Sequence, residues 1–313
     1  MISRVVEISS PAFLTIKHQQ LVIEKQGEVL GKVPIEDLGV LILDNHSLVY
    51  TQQIMTALIE NNTAVVICDM KHMPSAMLVP FDAYSVHTKT LNQQIEMPEA
   101  TKKRIWQKII QAKIEAQSEL IKHVNPRLRR LDSLSKKVKS GDPENIEGVA
   151  AKLYFDLLWG EDFKRQRFEP GINALLNYGY AVLRACVARS IVGAGLHPAL
   201  GIHHSNQYNS FCLVDDFIEP LRPLVDFKVY EIWKTQGDDL ELSPAVKREI
   251  LTFTQEWLEY EGKRYPFMTA LPFYAASARK CITRESLKLS VPKCLFEKSG
   301  ENTDVGEEEL YEQ

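Results

Sequence analysis

The sequence has no apolar run near the roughly 18 residues that a membrane span requires. Its start shows no signal-peptide pattern of basic residues leading into an apolar segment. Cysteine is scarce. The five cysteines (Cys68, Cys186, Cys212, Cys281 and Cys294) are odd in number and scattered, and no pair has CxxC spacing. This argues against a zinc ribbon or a disulfide framework, and for a reducing cytoplasmic setting. Internal repeats are absent. The formal net charge is −4, so no overall basic excess points to nucleic acid.

The 313 residues are 45% hydrophobic and 25% charged, the balance of an ordinary globular protein of about two domains with ample core. The charge is unevenly placed. Residues 101–140 hold twelve Lys and Arg against three acids, Glu115, Glu119 and Asp132. Residues 299–313 hold six acids and no base. Either the basic block is a solvated helix face or it contacts a polyanion.

The first 80 residues read as β-structure. FLTIK (13–17) and QLVIEK (20–25) are short β-rich runs, and Gln26-Gly27 turns into EVLGKVPI (28–35). LGVLIL (38–43) is wholly apolar, the mark of a strand buried on both faces. TQQIMTALIENN (51–62) reads as a helix with Thr51 as N-cap, and AVVIC (64–68) and AMLVP (76–80) return to strand. Beyond about residue 90 the 3.6-residue period takes over. It predicts helices over 98–123, 127–139, 171–192, 244–259 and 270–288, and another starting at Asp142-Pro143 and running to Trp159. Periodicity is lost after Val291, which predicts disorder there. The expected architecture is α+β: a β-sheet domain over 1–88, a larger all-α catalytic domain over 89–292, and an acidic tail over 293–313.

Two places carry polar residues that a plain core would not. Glu147 heads an apolar row on the helix ending at Trp159, where a carboxylate is costly unless paired or metal-bound; a first-turn acid also suits the helix dipole. The stretch GIHHSNQYNSFCLVDDFIEPLRPLVD (201–226) concentrates His203, His204, Asp216 and Glu219. Pro220 and Pro223 break a regular helix there. An imidazole and carboxylates converging on one ion suit Mg²⁺ or Mn²⁺. The plainer alternative is a capping Asp, a solvated acid and a packed histidine. Arg222, one turn after Glu219, either holds that carboxylate or contacts a phosphate.

These segments resemble a known family, the CRISPR-associated integrases of spacer acquisition. IEGVAAKLYF (146–155) is similar to its E-G-x-x-A-x-x-Y-F motif. INALLNYGYA (172–181) is similar to its N-A-x-L-x-Y-G-Y helix. GIHHSNQYN (201–209) and DFIEPLRPLVD (216–226) are similar to its histidine and acidic motifs. Order and spacing agree over most of residues 1–290, and the compact motifs look most like the type II form. The resemblance implies a metal-dependent DNA endonuclease and integrase. Its ligands to Mg²⁺ or Mn²⁺ fall on Glu147, His204 and Glu219, with Asp216 in support and His203 as the competing histidine; Arg222 joins the supporting candidates by its place one turn after Glu219. It implies a β domain followed by a helical domain, and a homodimer formed through the β domains. It also implies a heterohexamer with a small partner nuclease. The effector nuclease is a further candidate partner. With captured and repeat duplex DNA as implied substrates, Arg127, Arg129, Arg130, Lys136 and Lys137 become the candidates for phosphate contact. A stand-alone nuclease for branched DNA and a structural DNA-binding subunit are the alternatives.

Overall fold

The computed structural model describes residues 4–80, 86–166, 169–238 and 240–296. Its first sheet is built on the wholly apolar run. Strand β5 (Leu38–Leu43) is buried at every position. It runs parallel between β1 (Arg4–Ile8) and β7 (Ala64–Cys68), and an antiparallel β8 (Pro74–Leu78) closes one edge. The register explains the lack of alternation. Leu38, Leu41 and Leu43 face a small core shared with Leu14, Leu21 and Leu58, whereas Val40 and Ile42 face the helical region. A strand covered on both sides has no polar face. The other side of the small core is a second sheet from β2 (Phe13–Lys17), β3 (Gln20–Lys25), β4 (Glu28–Pro34) and β6 (Val49–Tyr50), in the order β4-β3-β2-β6. Helix α1 (Gln52–Glu60) starts where expected, with the Thr51 hydroxyl accepting from the Ile54 N–H at 3.4 Å.

Helices α2 (His87–Ile95), α3 (Glu99–Val124), α4 (Ile146–Trp159), α5 (Ile172–Gly193), α6 (Cys212–Ile218), α7 (Arg222–Gln236), α8 (Pro244–Leu251) and α9 (Phe267–Ile282) form the larger part. The α+β arrangement is therefore as expected: sheets first, helices after. Helix α5 runs through the centre of this core. At Gly179 a Cβ would lie 2.4 Å from Val225 Cγ1, so only glycine lets α7 pack this closely. Among the described residues no helix is long and apolar enough to cross a membrane.

Several expected elements differ. Residues 127–139 are turns with one 3-10 turn, Ser135–Lys137, instead of a basic helix. Leu131 and Val138 anchor this segment in the core, and Gln107 on α3 donates to the Val138 carbonyl at 2.7 Å. Leu128, Leu131, Leu134 and Val138 keep a helical spacing and all pack on the core, so the apolar period alone does not make this segment a helix. Helix α4 begins at Ile146, not at Pro143. Its N-cap is Asn145, in a left-handed conformation, while both oxygens of Asp142 accept from the Ile146 and Glu147 N–H groups at 2.9 Å. The 244–259 segment is helical only to Leu251. A 3-10 turn (Thr252–Gln255) follows, then strand β9 (Trp257–Tyr260). β9 pairs with β10 (Lys263–Pro266) and with β11 (Lys293–Cys294) in a third sheet. α9 stops at Ile282, short of the expected 288. β11 forms where loss of structure was expected, because pairing with β9 and burial of Cys294 supply what local periodicity does not. The acidic run of the tail lies outside the described residues.

Candidate metal centre

Three elements distant in sequence meet at the predicted site: the middle of α3, the first turn of α4, and the α6–α7 junction. The junction follows from its prolines. α6 ends at Ile218, Glu219–Leu221 form a 3-10 turn, and α7 restarts at Arg222 with Pro223 in its first turn. Pro220 and Pro223 each lack an N–H, so both sit where no helical donor is needed. This places Glu219 in the interior, 3% exposed.

Asp216 is fully buried and organises the histidine loop. Its Oδ2 accepts from the Ile202 N–H at 2.6 Å and the His203 N–H at 3.1 Å. Its Oδ1 accepts from the His204 N–H at 3.1 Å and contacts His204 Nδ1 at 2.7 Å. A carboxylate only accepts, so Nδ1 carries the proton and Nε2 is left for a ligand. The hydrogen bond to Asp216 raises the His204 pKa above its ordinary value, against the opposing effect of burial. The adjacent His203 has another role. Its ring stacks on buried Trp106, centroids 4.1 Å apart and planes 3° from parallel. Of the two histidines, His204 therefore has the oriented ring. The turn into the loop needs Gly201, since a Cβ there would lie 2.1 Å from the His204 carbonyl oxygen.

Glu147 and Glu219 converge, and a cation from the protein joins them. Lys113 Nζ on α3 lies 2.6 Å from Glu147 Oε1 and 2.6 Å from Glu219 Oε2. Arg222 Nη2 lies 3.0 Å from the other oxygen, Glu219 Oε1. Arg222 thus pairs with this carboxylate. Burial pushes the Glu219 carboxyl up, but Arg222 and Lys113 outweigh it and hold the group below its ordinary pKa. Burial works against the Lys113 ammonium too, yet Glu219 and Glu147 keep its pKa above the ordinary value. Behind the site Asp226, also buried, accepts from Tyr154 Oη at 2.7 Å and from Tyr180 Oη. Arg222 lies over the Tyr180 ring at 4.9 Å.

The donor set of two carboxylates and one oriented imidazole fits a divalent ion such as Mg²⁺ or Mn²⁺. The Asp216–His204 pair is the carboxylate–histidine arrangement that supports metal-bound imidazole. Buried Glu219 Oε2 accepts no aligned hydrogen bond among the described residues; Lys113 faces it as an ion-pair contact only. The donors do not form a closed cage: among the described residues no three His, Cys, Asp or Glu groups converge in ligating geometry. The positive charge between the carboxylates is Lys113.

Lys113 is the residue that reading the sequence missed. It was one of twelve cations in the basic block, but it is 7% exposed and faces inward. The signal was its place on α3 in the row Ile109, Ile110, Lys113, Ile114, an apolar face at helical spacing. Arg127, Arg129, Arg130, Lys136 and Lys137 are exposed, on the turns after α3, and none touches the carboxylate site. Arg129 has a loose contact with Asp132 at 3.9 Å. No ion pair is seen for the other four among the described residues.

Residues 6–239 match the family model for CRISPR associated protein Cas1. The chain belongs to the Cas1 family. It is 35% identical over 285 residues to the CRISPR-associated endonuclease Cas1 of Neisseria meningitidis serogroup C, covering 90% of this chain and 93% of the relative. Among solved structures, this Cas1 chain is similar to a casposase bound to integration product, with a TM-score of 0.75, 20% identity and 92% of each chain covered. A Cas6-RT-Cas1–Cas2 complex matches with a TM-score of 0.71 and 20% identity, over 92% of this chain and 36% of that one. A CAS1 protein from Thermotoga maritima matches with a TM-score of 0.70 and 17% identity, over 89% and 96% of the two chains. These structural likenesses establish that the sheets-then-helices arrangement is the Cas1 fold.

Proposed function

We propose that this chain is the integrase of a CRISPR adaptation complex. It joins the 3′-hydroxyl of a short captured DNA to a phosphodiester in the repeat of the array. The observation that carries this reading is the convergence of Glu147 and Glu219 around one positive charge, beside an imidazole whose tautomer Asp216 sets. Because one phosphodiester replaces another, no outside energy source is needed. The barrier lies in bringing a hydroxyl to a polyanion and in the charge that builds on phosphorus.

Glu147, His204 through Nε2, and Glu219 would hold Mg²⁺ or Mn²⁺. Such an ion, when bound, acts as a Lewis acid on the phosphoryl oxygens and lowers the pKa of the attacking hydroxyl. Asp216 fixes the tautomer of the His204 ring and leaves Nε2 free for a ligand. Arg222 keeps Glu219 ionised although it is buried. Arg127, Arg129, Arg130, Lys136 and Lys137 offer an exposed cationic surface for the DNA backbone.

The likeness to a chain of a Cas1–Cas2 complex supports a Cas2-type partner, the small partner nuclease of the reading. The heterohexamer, two dimers around one, is part of the proposal. The homodimer would form through the β domains, where Phe13, Val29, Leu30 and Val49 are exposed apolar residues of the outer sheet. The compact motifs fit the type II form, in which the effector nuclease is the further candidate partner. A cytoplasmic setting agrees with five cysteines that are all unpaired and buried.

A second reading is a hydrolytic endonuclease, favoured by the name of the Neisseria relative. The same residues would serve, with water in place of the 3′-hydroxyl. A structural DNA-binding subunit is disfavoured because all three ligand positions are filled. The test is a strand-transfer assay with 3′-labelled duplex, a repeat-bearing plasmid, the partner nuclease and Mn²⁺. Label in the plasmid that vanishes with Glu147→Gln supports the integrase. Cutting without joining supports the nuclease. DNA binding without either supports the structural role.

A further inference from the structure

Lys113 lies where a divalent ion would have to lie. Its Nζ is 2.6 Å from one oxygen of each carboxylate, one from α4 and one from the α6–α7 junction. Both carboxylates belong to the proposed ligand set. A metal ion and this ammonium compete for the same two oxygens, and both cannot be held there at once. Lys113 is also the one ion-pair partner of Glu147 among the described residues, whereas Glu219 keeps Arg222 whether or not Lys113 is present.

We infer that Lys113 is a built-in counterion that holds the metal-free site together and must be displaced for the divalent ion to enter. The inference rests on the proposed metal site and adds a second role for one of its neighbours. Two physical facts support it. Two carboxylates brought together in the interior without a cation repel each other and lose hydration, so the metal-free protein needs a positive charge between them. A lysine can vacate such a place. Its ammonium is a point charge on a flexible four-carbon stem, whereas a planar guanidinium stacked on an aromatic ring cannot withdraw as easily. Arg222, stacked on Tyr180 and paired to the far oxygen of Glu219, is the fixed cation of the site. Lys113 is the movable one.

The consequence is a trade between metal-free stability and metal affinity. Lys113→Met keeps the stem and removes the charge. The metal-free variant should melt lower than wild type, by roughly 5 °C. Mn²⁺ should restore it, so the metal-induced rise in melting temperature grows. In calorimetric titration Lys113→Met should bind Mn²⁺ about tenfold more tightly than wild type, because no bound cation has to leave. A second measurement needs no variant. Reductive methylation of wild-type protein, read by mass spectrometry, should modify Lys113 poorly without metal and readily with Mn²⁺. It covers the case in which Lys113→Met does not fold.

Unchanged or weaker Mn²⁺ binding by folded Lys113→Met would overturn the inference while leaving the metal site standing. So would Lys113 methylation that ignores Mn²⁺. If neither wild type nor Lys113→Met binds Mn²⁺, the metal reading falls, and this inference with it.

Discussion

Asp216 grips His204 at two points with one oxygen. Oδ1 accepts from the His204 backbone N–H at 3.1 Å and from its ring Nδ1 at 2.7 Å, while Oδ2 ties down the two preceding N–H groups. The histidine is thus fixed in backbone, rotamer and tautomer by a carboxylate that is not itself one of the proposed ligands. Asp216→Asn is expected to weaken Mn²⁺ binding by about 10–100-fold, the usual loss when such a partner is removed. Calorimetric titration of the folded variant checks it. Binding equal to wild type would remove Asp216 from the site.

Gly201 sits where the loop folds over Asp216. An added methyl would meet the His204 carbonyl oxygen at 2.1 Å and Cys212 Cβ at 2.9 Å. Backbone cannot yield as a side-chain tip can. Gly201→Ala should therefore cost about 1–3 kcal/mol of stability and displace the histidine loop. Chemical denaturation reads the first effect. Loss of Mn²⁺-induced stabilisation reads the second.

Asp226 provides a pH dependence with a definite sign. Burial raises its carboxyl from the ordinary 3.8 to about 6, although the Tyr180 and Tyr154 hydroxyls and Arg222 pull the other way. The folded protein then binds this proton more tightly than the unfolded chain does. Its contribution is neutral below the unfolded value and becomes unfavourable as pH rises through about 6. Asp226→Asn removes that titration. The variant should lose less stability than wild type between the two values and keep its Tyr154 contact. Melting temperatures measured across that interval decide the point; parallel profiles for the two proteins would rule it out.

The exposed cations after α3 are expected to act through phosphate alone. Reversing Arg127, Arg129 and Arg130 to glutamate should weaken binding to all duplex sequences alike. It should also flatten the plot of log affinity against log salt by roughly three units if each arginine meets one phosphate. Fluorescence anisotropy over a salt series measures both. An unchanged slope would move the DNA surface elsewhere. The melting temperature should hardly change, because all three side chains are solvent-exposed.

Most β-strands of the N-terminal part were legible because their signals are local, though β1 and β6 were not read. A six-residue apolar run, a Gln-Gly turn and a Thr N-cap each act over a few residues, and the structure has strands and a helix at those places. The long amphipathic helices α3 and α5 were legible for the same reason. The basic segment 127–139 and the two-residue β11 take their form from partners elsewhere in the chain, of which their own periodicity carries no record. The strand Trp257–Tyr260 is different: it forms a hairpin with β10 across Glu261-Gly262, a local turn that the helical reading of 244–259 passed over.

The site divides in the same way. Residue types marked Glu147, the histidine pair and Glu219 as candidates, the family resemblance singled out Glu147, His204 and Glu219, and the prolines alone announced a break beside Glu219. Between two adjacent histidines the sequence offered no physical basis for choice. The fold separates them by stacking His203 on Trp106 and bonding His204 to Asp216. Nor did the basic block reveal that one of its lysines points inward. A helix shows its period in sequence, but which cation meets two carboxylates from other elements depends on how three helices are set against one another. That is a matter of packing, and only the tertiary structure placed Lys113 between Glu147 and Glu219.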